Sequence, residues 1–153
     1  MSRSQLILFA AGGSTALLIG AWGFQYFGYA PCKMCIWQRW PHGAAVLIGV
    51  LALALPRMPL ILLGALAAAT SGGIGFYHTG VERGWWQGPT SCSSGDIGGL
   101  STDELLDQIM NAPLVRCDEV AWQMLGLSMA SWNALISLTL AIVWVRAALI
   151  KTA

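Results

Sequence analysis

Two cysteines separated by two residues, Cys32-Lys33-Met34-Cys35, with Arg39 four positions beyond the second, are the residues of this chain best suited to chemistry. A disulfide across so small a loop constrains little of the unfolded chain, and C-x-x-C cysteines have shifted acidity and exchange readily. The spacing therefore reads as a redox pair. If a helix starts near Cys35, its free N–H groups and the Arg39 guanidinium one turn on both favour a thiolate at Cys35. Such a thiolate attacks a disulfide or donates to a lipid-soluble electron acceptor. The other reading of Arg39 is that it snorkels to lipid head groups.

Cys92 and Cys117, 25 residues apart, complete the set of four cysteines. Four cysteines allow three pairings, the simplest being Cys32 with Cys35 and Cys92 with Cys117. The second pair reads either as a clip on a long loop, worth about 3–5 kcal/mol in the chain-entropy account, or as a second redox pair. Zinc would need Cys/His pairs at ligand spacing, and the lone C-x-x-C has no second compact pair, so no metal site is expected. Ile36 after Cys35 excludes c-type haem attachment. His42, beside Pro41, reads as an interfacial or packing residue. His78 reads as a polar contact to a ligand or as an interface residue. The eight Trp form mainly an aromatic belt, with Trp37 and Trp40 as candidate pocket walls.

The elements that position these residues follow from charge placement. The chain of 153 residues is 56% hydrophobic and 10% charged, where a soluble domain has about 45–50% and about 25%. Charges are nearly balanced, with 8 Lys+Arg against 7 Asp+Glu, which argues against a nucleic-acid partner held by an electrostatic footprint. Charge-free stretches at 4–32, 40–56, 58–81 and 120–145 predict four membrane-spanning helices, since a hydrocarbon core of about 30 Å needs roughly 20 helical residues. The spans are drawn at about Gln5–Phe27, Ile36–Leu55, Pro59–Tyr77 and Leu127–Ile150. The expected fold is an all-α membrane protein, a four-transmembrane-helix bundle forming a single domain over residues 1–153.

Alternate connections then fall on opposite sides of the bilayer. One side holds Arg3, Arg57, Arg146 and Lys151 with no acid; the other holds the loops at about 28–35 and 78–126 with every acid of the chain. The positive-inside rule places both termini in the cytoplasm and the cysteines outside, where disulfides are the default. The first apolar stretch exceeds the usual 7–15-residue signal-peptide core. Within the long outer loop, Gly84-Trp85-Trp86-Gln87-Gly88-Pro89 reads as turn material anchored at the membrane surface. Ser101-Thr102-Asp103-Glu104 has capping-box form and starts a short amphipathic helix, apolar at Leu105, Leu106, Ile109 and Met110, that ends before Pro113. Gly64, Gly72, Gly73 and Gly75 read as helix-packing positions.

Four predicted spans, Pro31-Cys32-Lys33-Met34-Cys35-Ile36-Trp37-Gln38-Arg39 entering the second, and a cysteine pair in the outer loop before the fourth together resemble the DsbB family of disulfide bond formation proteins. The resemblance covers essentially the whole chain. It implies a bacterial inner-membrane thiol oxidase that re-oxidises a periplasmic thioredoxin-like (DsbA-like) disulfide donor and passes the electrons to a respiratory quinone, ubiquinone or menaquinone. It also implies that Cys92 forms the mixed disulfide with the partner, that Cys117 resolves it, and that Cys32 and Cys35 re-oxidise that pair. Cys35 would meet the quinone ring, Arg39 would hold a quinone oxygen or stabilise the thiolate, and His78 matches a quinone-side histidine. Gln38 departs from relatives that carry an acid beside the arginine. The non-enzyme alternative is a membrane scaffold whose disulfide-stapled outer loop docks another protein.

Overall fold

The computed structural model describes residues 1–89, 92, 101–110 and 115–150. In chain order the elements are α1 (Arg3–Tyr26), α2 (Lys33–Ala54), α3 (Met58–Glu82), α4 (Thr102–Met110), β1 (Gln123–Met124), β2 (Leu127–Ser128) and α5 (Met129–Leu149). Their starts are local chemistry. Ser2 and Gln5 cap α1 reciprocally, Cys32 caps α2 through its sulfur, and Ser128 caps α5. Helix α3 ends where Gly84 takes a φ of 68°, with Trp85 N–H returning to Gly80 C=O and Gly84 N–H to Val81 C=O, a glycine-terminated stop.

Among the described residues, α1, α3 and α5 are long and apolar enough to cross a membrane, and the chain is a multi-pass membrane protein. The expected second span falls on α2, which is long enough but less apolar, because Gln38, Arg39 and His42 lie in its first half. The other expected boundaries shift by a few residues; the largest shift is at α3, which runs on from Tyr77 through His78 to Glu82. The all-α expectation misses one small feature. Gln123 pairs with Ser128 and Met124 with Leu127 in an antiparallel hairpin whose central residues, Leu125 and Gly126, both have positive φ, as a tight two-residue turn requires.

The long helices close into a ring of contacts: α3 packs on α5, α2 lies between α1 and α3, and α1 returns to α5. The interior is mostly alanine around one large ring, Trp144, which is fully buried. Lipid gives apolar surfaces no reason to associate, so small residues that let helix backbones meet supply the cohesion. A Cβ on Gly64 would lie 2.8 Å from the Trp144 indole, one on Gly72 2.9 Å from Leu138, and one on Gly75 3.0 Å from the main chain of α5. Gly73, grouped with these from the sequence, instead faces open space. Gly75→Ala is therefore expected to cost about 1–3 kcal/mol and lower the thermal midpoint in detergent, whereas Gly73→Ala should not lower it.

In the outer segment the predicted capping box forms: Ser101 N–H donates to Glu104 Oε2 at 2.8 Å and Glu104 N–H to Ser101 Oγ at 3.4 Å. The Ser101 hydroxyl, which donates to Glu104 Oε2 at 2.6 Å, and the Ser101 N–H together hold the Glu104 carboxyl below its usual range. On α4, Leu106 and Met110 are exposed, while the side chains of Leu105 and Ile109 and the expected stop before Pro113 lie outside the described residues. The Trp86 indole stacks on Tyr77 and donates to the Tyr77 carbonyl at 2.8 Å. It occupies the space that a side chain at Gly80 would need.

Candidate functional site

The two cysteine pairs meet at one end of the bundle. Cys32 ends the connection from α1 and Cys35 lies in the first turn of α2, with their sulfurs 2.7 Å apart and both free. Cys92 and Cys117 are disulfide-bonded, with Cα atoms 5.3 Å apart. The sequence reading placed Cys92 and Cys117 in the long outer loop. In the structure both are fully buried, in one cluster with Cys32, Met34 and Val81, because a disulfide is an apolar group and finds apolar neighbours there. Cys117 N–H donates to Cys92 C=O at 2.7 Å, tying the two strands of chain together.

Helix geometry changes one detail of the sequence expectation, the residue at the helix start. Cys32, not Cys35, stands at the N-cap, where its sulfur accepts the Cys35 N–H at 3.2 Å. That amide favours a Cys32 thiolate, but the adjoining Cys35 sulfur and burial outweigh it and push the Cys32 thiol well above its ordinary range.

His78, from the last turns of α3, is drawn into the same place. Its Nε2 lies 3.6 Å from Cys32 Sγ and 3.9 Å from Glu82 Oε1. Its Nδ1 lies 3.0 Å from the Gln38 side-chain nitrogen, which also donates to Met34 C=O at 3.1 Å. Gln38 Oε1 accepts from Asn133 Nδ2 of α5 at 2.7 Å, and Asn133 Oδ1 lies 2.9 Å from His42 Nε2. Ser71 donates to Gln38 C=O, and Asn133 Nδ2 reaches Ser71 Oγ at 3.2 Å. This buried polar chain, Cys32 to His78 to Gln38 to Asn133 to His42, spans three helices. Glu82 is held in turn by Ser128 Oγ.

Arg39 lies on the α1 side. Its guanidinium donates to Gln25 Oε1 at 2.9 Å and to the Ala21 carbonyl at 3.3 Å, and its Nε has no partner among the described residues. Beside it is a cavity of about 240 Å³ whose wall includes Cys32, Cys35, Gln38, Arg39, His42 and His78, together with apolar groups such as Leu17, Phe24 and Trp122. Arg116, which contributes to the rim, is paired with Asp118 at 2.7 Å and lowers that carboxyl's pKa.

The structure thus brings together Cys32, Cys35, Arg39 and His78 as anticipated, and adds the Cys92–Cys117 pair directly against them. Sequence reasoning missed Glu82, Asn133 and Ser71, and gave His42 only a packing or interfacial role. A buried polar residue inside an apolar span was the available signal for Asn133 and Ser71. Trp37 and Trp40, offered as pocket walls, are exposed at 39% and 76% and are not among the cavity's lining residues.

Comparison with known proteins agrees with this arrangement. The sequence model of the family described as disulfide bond formation protein DsbB matches residues 3–147. Disulfide bond formation protein B of Pasteurella multocida is 34% identical, over 86% of this chain and 81% of its own. Disulfide bond formation protein B 2 of Pseudomonas aeruginosa is 33% identical, over 81% and 77%, and disulfide bond formation protein B of Polaromonas is 30% identical, over 94% and 88%. No solved structure matches the chain. With two cysteine pairs in contact at the end of a membrane bundle and a match along nearly its whole length, the chain belongs to the DsbB family of disulfide bond formation proteins.

Proposed function

We propose that the protein is a protein-disulfide:quinone oxidoreductase of the bacterial inner membrane. Cys92–Cys117 accepts two electrons and two protons from the dithiol of a periplasmic thioredoxin-like (DsbA-like) partner. The resulting loop dithiol reduces the Cys32–Cys35 disulfide by thiol-disulfide exchange, in which a thiolate attacks one sulfur and the other leaves. A bound quinone, ubiquinone or menaquinone, supplies a two-electron, two-proton acceptor that returns Cys32–Cys35 to the disulfide. In this reading α2 crosses the membrane as well as α1, α3 and α5, both termini are cytoplasmic, and the cysteines lie on the periplasmic side with the segment at 78–126.

The observation that carries the proposal is the contact between the two pairs at a cavity wall. Exchange needs sulfur within reach of sulfur, and Cys32, Cys92 and Cys117 share one buried cluster. The cavity suits a quinone ring: its wall is largely apolar, and Arg39 keeps a spare N–H beside it as a donor for a carbonyl oxygen. His78 and the Cys35 amide both face the Cys32 sulfur and orient it.

Stopped-flow absorbance of the purified protein with a reduced thioredoxin-like partner and a soluble quinone analogue tests this reading. Partner oxidation coupled one-to-one to quinone reduction is expected. No quinone turnover with any competent partner would leave the disulfide-stapled scaffold as the better account. Arg39→Ala should raise the apparent KM for quinone roughly tenfold to a hundredfold, the worth of a hydrogen bond from a charged donor, and leave the KM for partner nearly unchanged. Equal effects on both would remove Arg39 from the quinone side.

A further inference from the structure

We propose that the reduced Cys32–Cys35 pair, with His78 and Glu82, forms a binding site for a thiophilic divalent cation, zinc above all. Local spacing hides this site, because its third donor arrives from another helix. The two sulfurs and a His78 ring nitrogen all lie within 4.8 Å of one another, and Glu82 Oε1 is 3.9 Å from His78 Nε2. Two thiolates, an imidazole and a carboxylate are a donor set that selects zinc among common divalent ions.

The sulfur-to-imidazole distance already matches a tetrahedral site. Zinc–sulfur bonds of about 2.3 Å and zinc–nitrogen bonds of about 2.0–2.1 Å put ligand S and N about 3.5 Å apart; Cys32 Sγ and His78 Nε2 are 3.6 Å apart. The sulfurs, now at 2.7 Å, must separate to about 3.7 Å, which a rotation of the half-buried Cys35 side chain provides. The Cys35 N–H already points at Cys32 Sγ, where it offsets charge on a ligating thiolate. Outer support is in place too: Ser128 holds the far oxygen of Glu82, and the Gln38 amide holds His78 Nδ1. A half-turn of that amide, which gives up its bond to the Met34 carbonyl and is met by a matching turn of Asn133, presents its oxygen to the Nδ1–H that a metal-bound imidazole carries.

Binding involves no electron transfer. Each thiol loses its proton to solvent as a sulfur–metal bond forms, so two protons leave and both sulfurs stay reduced. The occupied pair cannot close to a disulfide, so the cation arrests the protein in its reduced form. Only this arrest rests on the oxidase reading; the site itself does not.

The test is titration of the purified full-length protein with Co²⁺ and Zn²⁺ in two forms, with Cys32 and Cys35 reduced and with both pairs oxidised, followed by absorbance and equilibrium dialysis. One Zn²⁺ per reduced chain is expected, with both thiols protected from a thiol reagent, and Co²⁺ should give thiolate charge-transfer bands of two-sulfur intensity. The oxidised protein should bind neither ion there, and His78→Ala should weaken Zn²⁺ binding at least about tenfold. Equal binding by the oxidised form, or cobalt spectra without thiolate bands, would overturn the proposal, as would unchanged affinity in His78→Ala. Quinone turnover in metal-free buffer judges the oxidase reading separately.

Discussion

Cys35→Ser is expected to lose steady-state quinone reduction by at least about a thousandfold, as removal of a reacting nucleophile does, while a single turnover at the other pair survives. The variant keeps Cys92 and Cys117, so once loaded with that disulfide it should oxidise one equivalent of reduced thioredoxin-like partner and then stop. Stopped-flow measurement of both half-reactions reads the two outcomes in one experiment. The expectation follows from position: Cys35 lines the cavity, while Cys92 and Cys117 are buried in the adjoining cluster and are not among the cavity's lining residues. A variant unable to complete even the first partner turnover would sink this division of labour.

Cys92→Ser should give the mirror image. Partner oxidation should fall by roughly three orders of magnitude or more, because the sulfur proposed to join the partner is gone. Quinone reduction driven by a small dithiol, which reaches Cys32–Cys35 without the loop, continues. Undiminished partner oxidation would instead make Cys92–Cys117 a structural clip, with the partner meeting Cys32–Cys35 directly. Both sulfurs of the loop pair are fully buried, so the wild-type encounter begins with displacement of the chain around them. The partner-oxidation rate should therefore level off at high partner concentration.

Much of the architecture was legible in the sequence because charge is costly in lipid and so marks the helix ends. The gaps from Arg3 to Lys33, Arg39 to Arg57, Arg57 to Glu82 and Glu119 to Arg146 located the four long helices to within a few residues, and the Ser101-to-Glu104 pattern located α4. The Leu125-Gly126 hairpin was not legible, since two-residue strands carry no periodicity and a leucine rarely adopts positive φ. At the site, Cys32, Cys35 and Arg39 were readable because they lie within two turns of one helix. His78 was placed but without its neighbours, and Asn133 and Ser71 were missed. Their bonds to Gln38 and His42 join positions 33 to 95 residues apart, a tertiary property with no local pattern. The burial of Cys92 and Cys117 was missed for the same reason: an acidic segment reads as solvated, yet its two sulfurs turn inward.

Asn133 has a further consequence. From α5 it grips two side chains of α2 and the Ser71 hydroxyl of α3, in a bundle whose apolar faces have no preference for each other over lipid. The residues that orient the chemistry are therefore also the fastening of the helices. In such a molecule, catalytic tuning and mechanical cohesion draw on the same few atoms. Evolution can alter the cavity wall only by substitutions that keep the clasp closed, which makes the first half of α2 a region where sequence drift is bounded by assembly as much as by reactivity.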